Sequence, residues 1–475
     1  MTYVAGVDSS TQSVKVVVCD ADTGAVVRSA RAAHPEGTEV SAEAWWTAYQ
    51  QATADPDLLA GVEAIAVGGQ QHGMVTLDSS GALVRDALLW NDNRSAPDAR
   101  DLITELGGAT AWADAIGTVP VASMTVSKVR WLARAEPENA ARTATVVLPH
   151  DYLTWQLGGR SFDPVTDRGD ASGTCYFDAT TNSYRDDLVR LALGHELQLP
   201  RVAAPDEIVG YTPNGIAIAP GTGDNMAAGL GLGVRGGEAV VSLGTSGTAY
   251  TQTTEQTHEP TGTVAGFADA TGAFLPLVCT LNGARNLVAT AELLGVSLDE
   301  LSRLALSAEP GSGGLTFLPY LEGERTPPLP DARGELVGMT LRNMTPANLA
   351  RASIEGVLWS LAYGVQVLRD QTGPIRAITL TGGASGSAAV RGIAAAVFGL
   401  PIVVTETFES VAIGAARQAA WALTGKLPDW PVPVLSEHEP TEADQRAAAE
   451  LAERYQAVLH EHHPSTAPAA GSPAS

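Results

Sequence analysis

The chain is short of cysteine and of positive charge. Its 475 residues include three cysteines, and 29 Lys and Arg against 53 Asp and Glu give a formal charge of −24. This acidic balance excludes a surface for nucleic acid or for an anionic membrane. The cysteines lie far apart without the spacing of metal ligands, which indicates reduced core thiols in a cytosolic protein. They are Cys19, Cys175 and Cys279.

Long apolar runs and familiar nucleotide motifs are also missing. No apolar run is long enough to span a bilayer, and residues 1–6 lack a basic segment followed by an apolar stretch, so we expect a cytoplasmic protein. The P-loop pattern is absent, because the pair Gly425-Lys426 is followed by Leu427. Protein-kinase signatures are absent too. These absences exclude both mechanisms.

The length and the alternation of elements predict two large α/β domains. The border is expected near Val234–Gly237, where a helix rich in small residues ends. The final helix is expected over Glu442–Leu459, followed by a disordered tail over residues 464–475. Apolar runs predict buried strands at Val62–Val67, Val146–Leu148, Ala239–Leu243, Leu315–Leu318 and Ile375–Leu380, and helices at Ala347–Leu368 and Ser387–Phe398.

One type of turn occurs twice, at Val7–Lys15 and at Val241–Thr248. In both segments β-branched residues lead into Ser, Thr, Gln or Gly and out into a second strand-like run, which is typical of a hairpin. Such turns offer hydroxyl and backbone N–H donors to a phosphate. Only the first copy carries a carboxylate and an ammonium, Asp8 and Lys15. We therefore expect the first hairpin to handle a metal and the transferred phosphate, and the second to hold the rest of a nucleotide.

The strongest candidate for chemistry is Asp224, in Pro220–Asn225. Glycines and an Asp-Asn pair precede a run of small residues, which places Asp224 at or near a helix N-terminus. The helix dipole is expected to keep this carboxylate ionised at neutral pH, as a weak base. A weak base is sufficient for phosphoryl transfer. The alternative is an ordinary N-cap residue.

Polar clusters follow two other apolar runs. Gly68–Met74 contains Gln71 and His72, and Leu89–Arg94 follows a later run. Because ligands gather beyond the carboxyl ends of strands in α/β sheets, these clusters predict a pocket for a polyol. For His72 alone, a histidine satisfied inside a turn is the alternative.

A glycine turn lies in the second half of the chain, at Thr379–Ser387. The sequence there predicts a strand that passes through Gly382-Gly383 into a helix. Adenine and ribose can lie against such a turn because no Cβ intrudes. We therefore expect the adenosine of a nucleotide at this turn.

Taken together, these motifs resemble the FGGY family of carbohydrate kinases, in consistent order from about Tyr3 to about Gly425. Ser10 stands where many relatives have glycine, and Ser387 where relatives often have asparagine. The segments that carry the resemblance are Gly69–Gly73, Leu89–Arg94, Ser127–Leu132, Leu148–Leu153, Asp170–Thr174, Gly223–Asn225, Phe317–Pro327 and Glu355–Gly356.

The resemblance implies two actin-like, ribonuclease-H-like ATPase domains with a cleft between them, an N-terminal sugar-binding domain over residues 1–235 and a C-terminal nucleotide-binding domain over 236–460. It also implies Mg²⁺ and a homodimer. The roles implied are Asp224 as the base, Gln71, His72, Asp224 and Asn225 for the sugar, Asp8 for the metal, and Thr11, Lys15, Thr245, Gly383, Ala384 and Ser387 for ATP.

The activity that the resemblance implies is ATP-dependent phosphorylation of D-xylulose to D-xylulose 5-phosphate. The same transfer to L-ribulose, gluconate or another polyol is the first alternative. A second alternative, of a different class, is a non-catalytic actin-like protein that uses nucleotide-driven closure to bind a partner or to polymerise. This alternative needs the hairpins and the glycine turn but neither Asp224 nor the pair Gln71-His72.

Overall fold

The computed structural model describes residues 1–406 and 409–466, and these form two compact α/β units. Unit 1 comprises Met1–Val234, Gln252–Pro276 and Glu409–Val432, and the remaining described residues form unit 2. The predicted α/β class is confirmed. The domain ranges 1–235 and 236–460 remain a prediction, since they are continuous in sequence whereas unit 1 takes in two later segments.

Residues 1–234 contain fifteen strands and nine helices. The strands are β1 Tyr3–Ser9, β2 Ser13–Asp20, β3 Val26–Ala33, β4 Glu39–Val40, β5 Val62–Gly69, β6 Val75–Leu77, β7 Ala87–Leu88, β8 Thr145–Val147, β9 Val165–Asp167, β10 Phe177–Asp178, β11 Ser183–Tyr184, β12 Arg201–Ala203, β13 Gly210–Tyr211, β14 Ala217–Ile218 and β15 Thr222–Gly223. The helices are α1 Ala42–Ala52, α2 Ala96–Leu106, α3 Ala109–Ile116, α4 Thr125–Ala135, α5 Pro137–Arg142, α6 Pro149–Leu157, α7 Arg168–Ser172, α8 Asp186–Leu193 and α9 Asp224–Leu232.

The later part of the chain adds longer helices and a second set of strands. The strands are β16 Glu238–Leu243, β17 Gly247–Thr251, β18 Ala265–Ala268, β19 Phe274–Thr280, β20 Thr316–Leu318, β21 Glu335–Val337, β22 Ala377–Thr381, β23 Ile402–Thr405 and β24 Val434–His438. The helices are α10 Ala284–Leu294, α11 Leu298–Ser307, α12 Pro346–Thr372, α13 Ala388–Phe398, α14 Ser410–Thr424 and α15 Glu442–His462. Short 3₁₀ helices lie at Ser312–Gly314, Gly383–Gly386 and Pro464–Thr466.

All seven predicted strands and helices named from apolar runs are confirmed, with shifts at their ends. The largest shift is at α12, which ends at Thr372 rather than Leu368. Of the predicted tail, Pro464–Thr466 is helical, and residues 467–475 lie outside the described residues. Within the described part of the chain, no helix has both the length and the apolar character needed to cross a membrane.

The central sheet of unit 1 runs in the order β13-β14-β5-β1-β2-β3, and β15 pairs with β5 beyond the end of β14. Its two faces differ in side-chain size. One face carries bulky residues such as Val16 and Ile65 and packs with Trp45 of α1. The other carries small residues such as Ala64 and Ala66 and packs with alanines of α14. Small side chains on both surfaces allow α14 to lie close to the sheet.

Helix α14 approaches its neighbours backbone to backbone. A Cβ added at Gly6 of β1 would lie 1.8 Å from the carbonyl oxygen of Ala412, and one at Gly414 would lie 1.8 Å from that of Ala227 in α9. The side-chain amide of Gln418 also accepts from Gly221 N at 3.0 Å. Glycine is therefore required at these crossings, and α14 fixes the segment that carries Asp224.

Unit 2 is built around strands in the order β19-β17-β16-β22-β23-β24. Strands β16, β22 and β23 are parallel neighbours, and β17 returns antiparallel to β16. Helix α12 is the longest of the unit and begins with Thr345 as N-cap and Pro346 in its first turn. This arrangement repeats the one in unit 1, where the hairpin β1-β2 lies beside the parallel strand β5.

Candidate active site

The first predicted hairpin turn is present in unit 1. Strands β1 and β2 pair antiparallel with Asp8 opposite Lys15. Asp8 is 3 % exposed, and its carboxylate accepts a hydrogen bond from the Ser10 hydroxyl. The Lys15 ammonium lies 2.6 Å from the Glu409 carboxylate but 3.9 Å from that of Asp8. Burial raises the pKa of Asp8 to about 6, because the Ser10 hydroxyl and the Lys15 ammonium compensate only part of the lost hydration.

Thr11 lies in the turn of this hairpin and contacts the second polar cluster. The indole Nε1 of Trp90 donates to the Thr11 hydroxyl at 2.9 Å. Trp90 belongs to Leu89–Arg94, so part of that cluster supports the hairpin. The neighbouring Ser9 hydroxyl is buried and has no hydrogen-bond partner among the described residues. A buried polar atom of this kind indicates that a ligand or water completes the turn.

The end of β5 brings Gln71 next to Asn225. Strands β1 and β5 are parallel with Ser9 opposite Gly69, so residues 70–72 follow β5 at the same sheet edge as the hairpin turn. Gln71 is 3 % exposed, and its Oε1 accepts from Asn225 Nδ2 at 2.8 Å. A Cβ added at Gly223 would lie 2.7 Å from Gln71 Cγ, so glycine is required at that position.

His72 has a left-handed backbone conformation, with φ of +65°. Its Nδ1 lies 2.8 Å from the carbonyl oxygen of Gly173, which fixes the ring and puts the proton of the neutral form on Nδ1. Its own carbonyl accepts from the Thr125 hydroxyl and from the buried ammonium of Lys128, both at 3.2 Å. Non-glycine residues in this conformation are uncommon and cluster at functional sites. Helix α4 and the residue after α7 thus hold His72 in an unusual position.

Asp224 is the first residue of α9, and Gly223 is its N-cap. Its Oδ1 accepts from Asn225 N at 2.8 Å and from Asn225 Nδ2 at 3.2 Å. Although part of its surface is exposed, burial of the carboxyl group raises the pKa to about 8, with further contributions from the charges of Asp8 and Asp170. The prediction that the helix N-terminus keeps it ionised at neutral pH is therefore wrong for the ligand-free protein, because the burial and the two nearby carboxylates outweigh the helix.

The carboxylate of Asp8, with that of Asp224 near enough to interact with it, suits a magnesium ion bound with a nucleotide. Asp8 is buried and Asp224 half-buried, both have a raised pKa, and the charge of Asp8 contributes to the shift at Asp224. A divalent cation would relieve this repulsion. Within the described residues no group of three or more His, Cys, Asp or Glu forms a metal site of its own. Mg²⁺ does not need one, since it takes one or two carboxylates together with phosphate oxygens and water.

The second predicted hairpin turn is present in unit 2. Strands β16 and β17 pair antiparallel around Gly244–Ser246, and Thr245 at the tip is exposed. The carbonyl oxygens of Gly244 and Thr245 accept from Ala284 N at 2.8 Å and Gly283 N at 3.2 Å. These two backbone hydrogen bonds therefore fix the turn against the N-terminus of α10.

The glycine turn lies at the same edge of the unit 2 sheet as this hairpin turn, since Ser242 is opposite Thr381 in the parallel pair β16-β22. Gly382 has φ of +92°, and a Cβ there would lie 2.7 Å from the backbone of Leu243. Gly383 is exposed with open space around it, and Ala384 is half-buried. The Ser387 hydroxyl caps α13 and lies 3.2 Å from that of Ser302. The structure thus brings Thr245, Gly383, Ala384 and Ser387 to one edge of unit 2.

Sequence reasoning assigned no role to several residues around Asp224. Glu409 pairs with Lys15, and Trp90 holds Thr11. His150 and Asp170 lie in two segments that carry the family resemblance, yet no pattern in those segments indicated that they contact each other. These partners come from distant parts of the chain, and only a pattern of contacts across the chain could have identified them.

The family comparison agrees with this geometry. The N-terminal domain model of the FGGY family of carbohydrate kinases matches residues 3–231, and the C-terminal domain model matches residues 239–423. The chain belongs to the FGGY family of carbohydrate kinases. The alternative of a non-catalytic actin-like protein has no support from these matches.

Individual relatives of this FGGY kinase are similar over most of their length. The chain is 46% identical over 438 residues to the xylulose kinase of Streptomyces coelicolor, covering 89% of this chain and 88% of that one. It is 45% identical over 443 residues to the xylulose kinase of Streptomyces rubiginosus, covering 90% and 89%. The crystal structure of xylulose kinase from Bifidobacterium adolescentis superposes with a TM-score of 0.87 at 44% identity, covering 94% and 99%.

Proposed function

We propose that this FGGY kinase transfers the terminal phosphoryl group of ATP to the terminal hydroxyl of D-xylulose, giving D-xylulose 5-phosphate and ADP. The observation that carries the proposal is the arrangement around Asp224 at the start of α9. Asn225 bonds to both Asp224 and Gln71 there. The similarity to xylulose kinases at 45–46% identity supports the choice of acceptor.

Asp224 is the proposed base for the sugar hydroxyl. A carboxylate with a raised pKa is a better proton acceptor than an ordinary aspartate once it is ionised. The loose transition state of phosphoryl transfer requires the base mainly to orient the hydroxyl and to accept its proton late. Asn225, Gln71 and His72 are the proposed contacts or supports for the remaining sugar hydroxyls.

The residues proposed to bind ATP and its metal lie partly in unit 1 and partly in unit 2. In unit 1 the proposed contacts to the transferred phosphate are Thr11 and Lys15, with Asp8 as the carboxylate for the metal. Mg²⁺, when bound with ATP, neutralises charge on the transferred group and orients it. In unit 2, Thr245 is proposed for the phosphates, and Gly383, Ala384 and Ser387 for the adenosine. The predicted sugar-binding and nucleotide-binding domains follow this division.

The acceptor is tested with a panel of D-xylulose, L-ribulose and D-gluconate in a coupled ADP-release assay. We expect the kcat/KM for D-xylulose to exceed the others by at least about tenfold, because a site built to bond particular hydroxyls rejects sugars that misplace them. A higher kcat/KM for another sugar would overturn the proposed acceptor while leaving the kinase activity in place.

Two further proposals rest on the resemblance and on composition. The homodimer is tested by light scattering during size-exclusion chromatography, where a monomer mass of 49.1 kDa would contradict it. The cytoplasm is the proposed compartment, in keeping with the acidic composition, and cell fractionation tests it.

A further inference from the structure

A buried cluster of one histidine and three carboxylates lies in unit 1 and has no role in the proposed reaction. His150 Nδ1 lies 2.7 Å from Asp170 Oδ2, and its Nε2 lies 3.1 Å from Asp151 Oδ1 and 3.8 Å from Asp167 Oδ1. The side chains are at most 4% exposed. Burial alone would lower the pKa of His150, but the surrounding carboxylates, Asp151 foremost, raise it to about 9. The surrounding carboxylates therefore favour the protonated form of the ring.

The cluster contacts the segment that leads into Asp224. Asp167 Oδ2 accepts from the Thr222 hydroxyl at 2.7 Å, two residues before the proposed base. The ring of His150 lies against Gly221, where an added Cβ would come within 2.9 Å of His150 Cδ2. The backbone of His150 lies equally close to Gly69 at the end of β5. His150 thus packs against both the end of β5, which precedes Gln71, and the segment that precedes Asp224.

A second connection runs through Gln71. Burial raises the pKa of Asp170, and His150 and the neighbouring Gln71 amide offset part of this rise by favouring the charged form. Gln71 Nε2 and Asp170 Oδ1 are both buried, and neither has a hydrogen-bond partner among the described residues. Gln71 in turn bonds to Asn225 through its other amide atom. A chain of buried side chains therefore leads from His150 through Asp170 and Gln71 to Asn225.

We propose that His150 and Asp170 are positioning residues that hold Gln71 and the strand before Asp224 in the geometry needed for the sugar. The inference rests on the proposed function, since it concerns the same site. A role in stability alone explains the cluster less well, because buried ion pairs are poor stabilisers compared with apolar packing.

The test compares His150→Leu, which removes the donor to Asp170, with His150→Asn, whose amide nitrogen stands close to the position of Nδ1. With the best sugar of the panel, we expect His150→Leu to lower kcat/KM for the sugar by about 100-fold, the effect of a displacement near 1 Å at a reacting group. The KM for ATP should change less than about twofold, because the adenosine contacts lie in unit 2. His150→Asn should recover most of the loss.

Leu153→Ala is the matched control, because it removes a buried side chain of the apolar core from the same helix, α6. It should lower the melting temperature while leaving kcat/KM for the sugar nearly unchanged. Asp170→Asn serves as the second variant if His150→Leu does not fold, and it should show the same split between sugar and ATP. Equal kcat/KM in wild type and folded Asp170→Asn or His150→Leu overturns the inference. So does an equal loss for Asn and Leu at position 150.

The inference and the proposed function fail separately. If the wild-type protein prefers a sugar other than D-xylulose, the proposed acceptor is wrong, and the variants are still compared on the preferred sugar. If wild type prefers D-xylulose and the variants match it, only the positioning role is wrong.

Discussion

The hairpin β1-β2 of unit 1 and the hairpin β16-β17 of unit 2 share a scaffold and differ in chemistry. Both are antiparallel pairs with a three-residue turn, and both lie beside a parallel strand. In unit 1 that strand, β5, ends in two glycines, and in unit 2 the corresponding strand, β22, is followed by two. At matched positions unit 1 has Asp8 opposite Lys15, and unit 2 has Ser242 opposite Thr248. One backbone arrangement therefore supports a charged turn in one unit and a neutral turn in the other.

The difference in charge goes with a difference in surroundings. Asp8 is buried and close enough to Asp224 to raise the pKa of that carboxyl, whereas Thr245 is exposed at a turn fixed by Gly283 and Ala284. A buried charge of this kind is unfavourable until an opposite charge compensates it. The charged turn is thus suited to a cation and a reacting phosphate, and the neutral turn to groups that do not react.

The largest expected effect belongs to the carboxylate beside the charged turn. Asp224→Ala should lower kcat by about 10³-fold, the usual contribution of a general base, while the melting temperature stays near that of the wild type. Steady-state kinetics with the best sugar measures it. Asp186→Ala is the control, because Asp186 is likewise the first residue of a helix, α8, but is exposed. Near-wild-type turnover of Asp224→Ala would show that another group accepts the proton.

The charged turn itself is tested by Asp8→Asn. We expect kcat to fall by about 100-fold, comparable to removing one electrostatic contact to the transition state, and the Mg²⁺ concentration for half-maximal rate to rise. Titrations of activity with Mg²⁺ measure both. Ser242→Ala makes a change at the matching position of unit 2 and should leave the Mg²⁺ dependence unchanged. If both variants shift it equally, the assignment of the metal to the first hairpin is wrong.

The neutral turn is tested at Gly382, which belongs to the glycine turn and lies against Leu243 at the end of β16. Gly382→Ala should raise the KM for ATP by about tenfold and destabilise the fold by about 1–3 kcal/mol, because alanine is strained at a positive φ and its Cβ would meet Leu243. The KM for the sugar should stay unchanged. Gly386→Ala is the control, since an added Cβ there meets open space. Kinetics and thermal unfolding check both variants, and an unchanged KM for ATP in Gly382→Ala would contradict the adenosine assignment.

The smallest effect is on the stability of the ligand-free protein. The folded-state pKa of Asp224 is about 8 against an ordinary value of 3.8, so between these values the folded protein retains a proton that the unfolded chain has released. The free energy of unfolding of the wild type therefore falls as the pH rises through this interval. Asp224→Asn does not show this fall, because asparagine has no carboxyl group to ionise. Asp224→Asn should melt at a higher temperature than the wild type at pH 8, with the difference shrinking toward pH 5. A difference independent of pH would contradict the raised pKa.

Local features of the fold could be predicted from the sequence. Both hairpins are specified by β-branched residues around short polar turns, and the start of α9 is specified by glycines before a run of small residues. Gly382 and Gly383 likewise indicated a strand that turns into a helix. These signals lie within about ten residues of the structure they specify, so one sequence is enough to detect them.

The environment of the site could not be predicted in the same way. The pKa of Asp224 depends on Asp8 and Asp170, which are distant in sequence, and the helix N-terminus was the one influence that lay nearby. The pairing of His150 with Asp170 and of Lys15 with Glu409 also joins distant segments. Such pairings cannot be read from a local pattern, because the residues next to each partner in the sequence give no indication of the distant residue that it contacts.

Helix α14 has a consequence for any attempt to divide the gene. Although it lies between β23 and β24 of unit 2 in the sequence, it covers the alanine face of the unit 1 sheet and supports the segment before Asp224. A fragment that stops at Val234 would expose this face to water and lose the Gln418 contact. Biosynthesis must therefore reach residue 424 before the first half of the protein is complete.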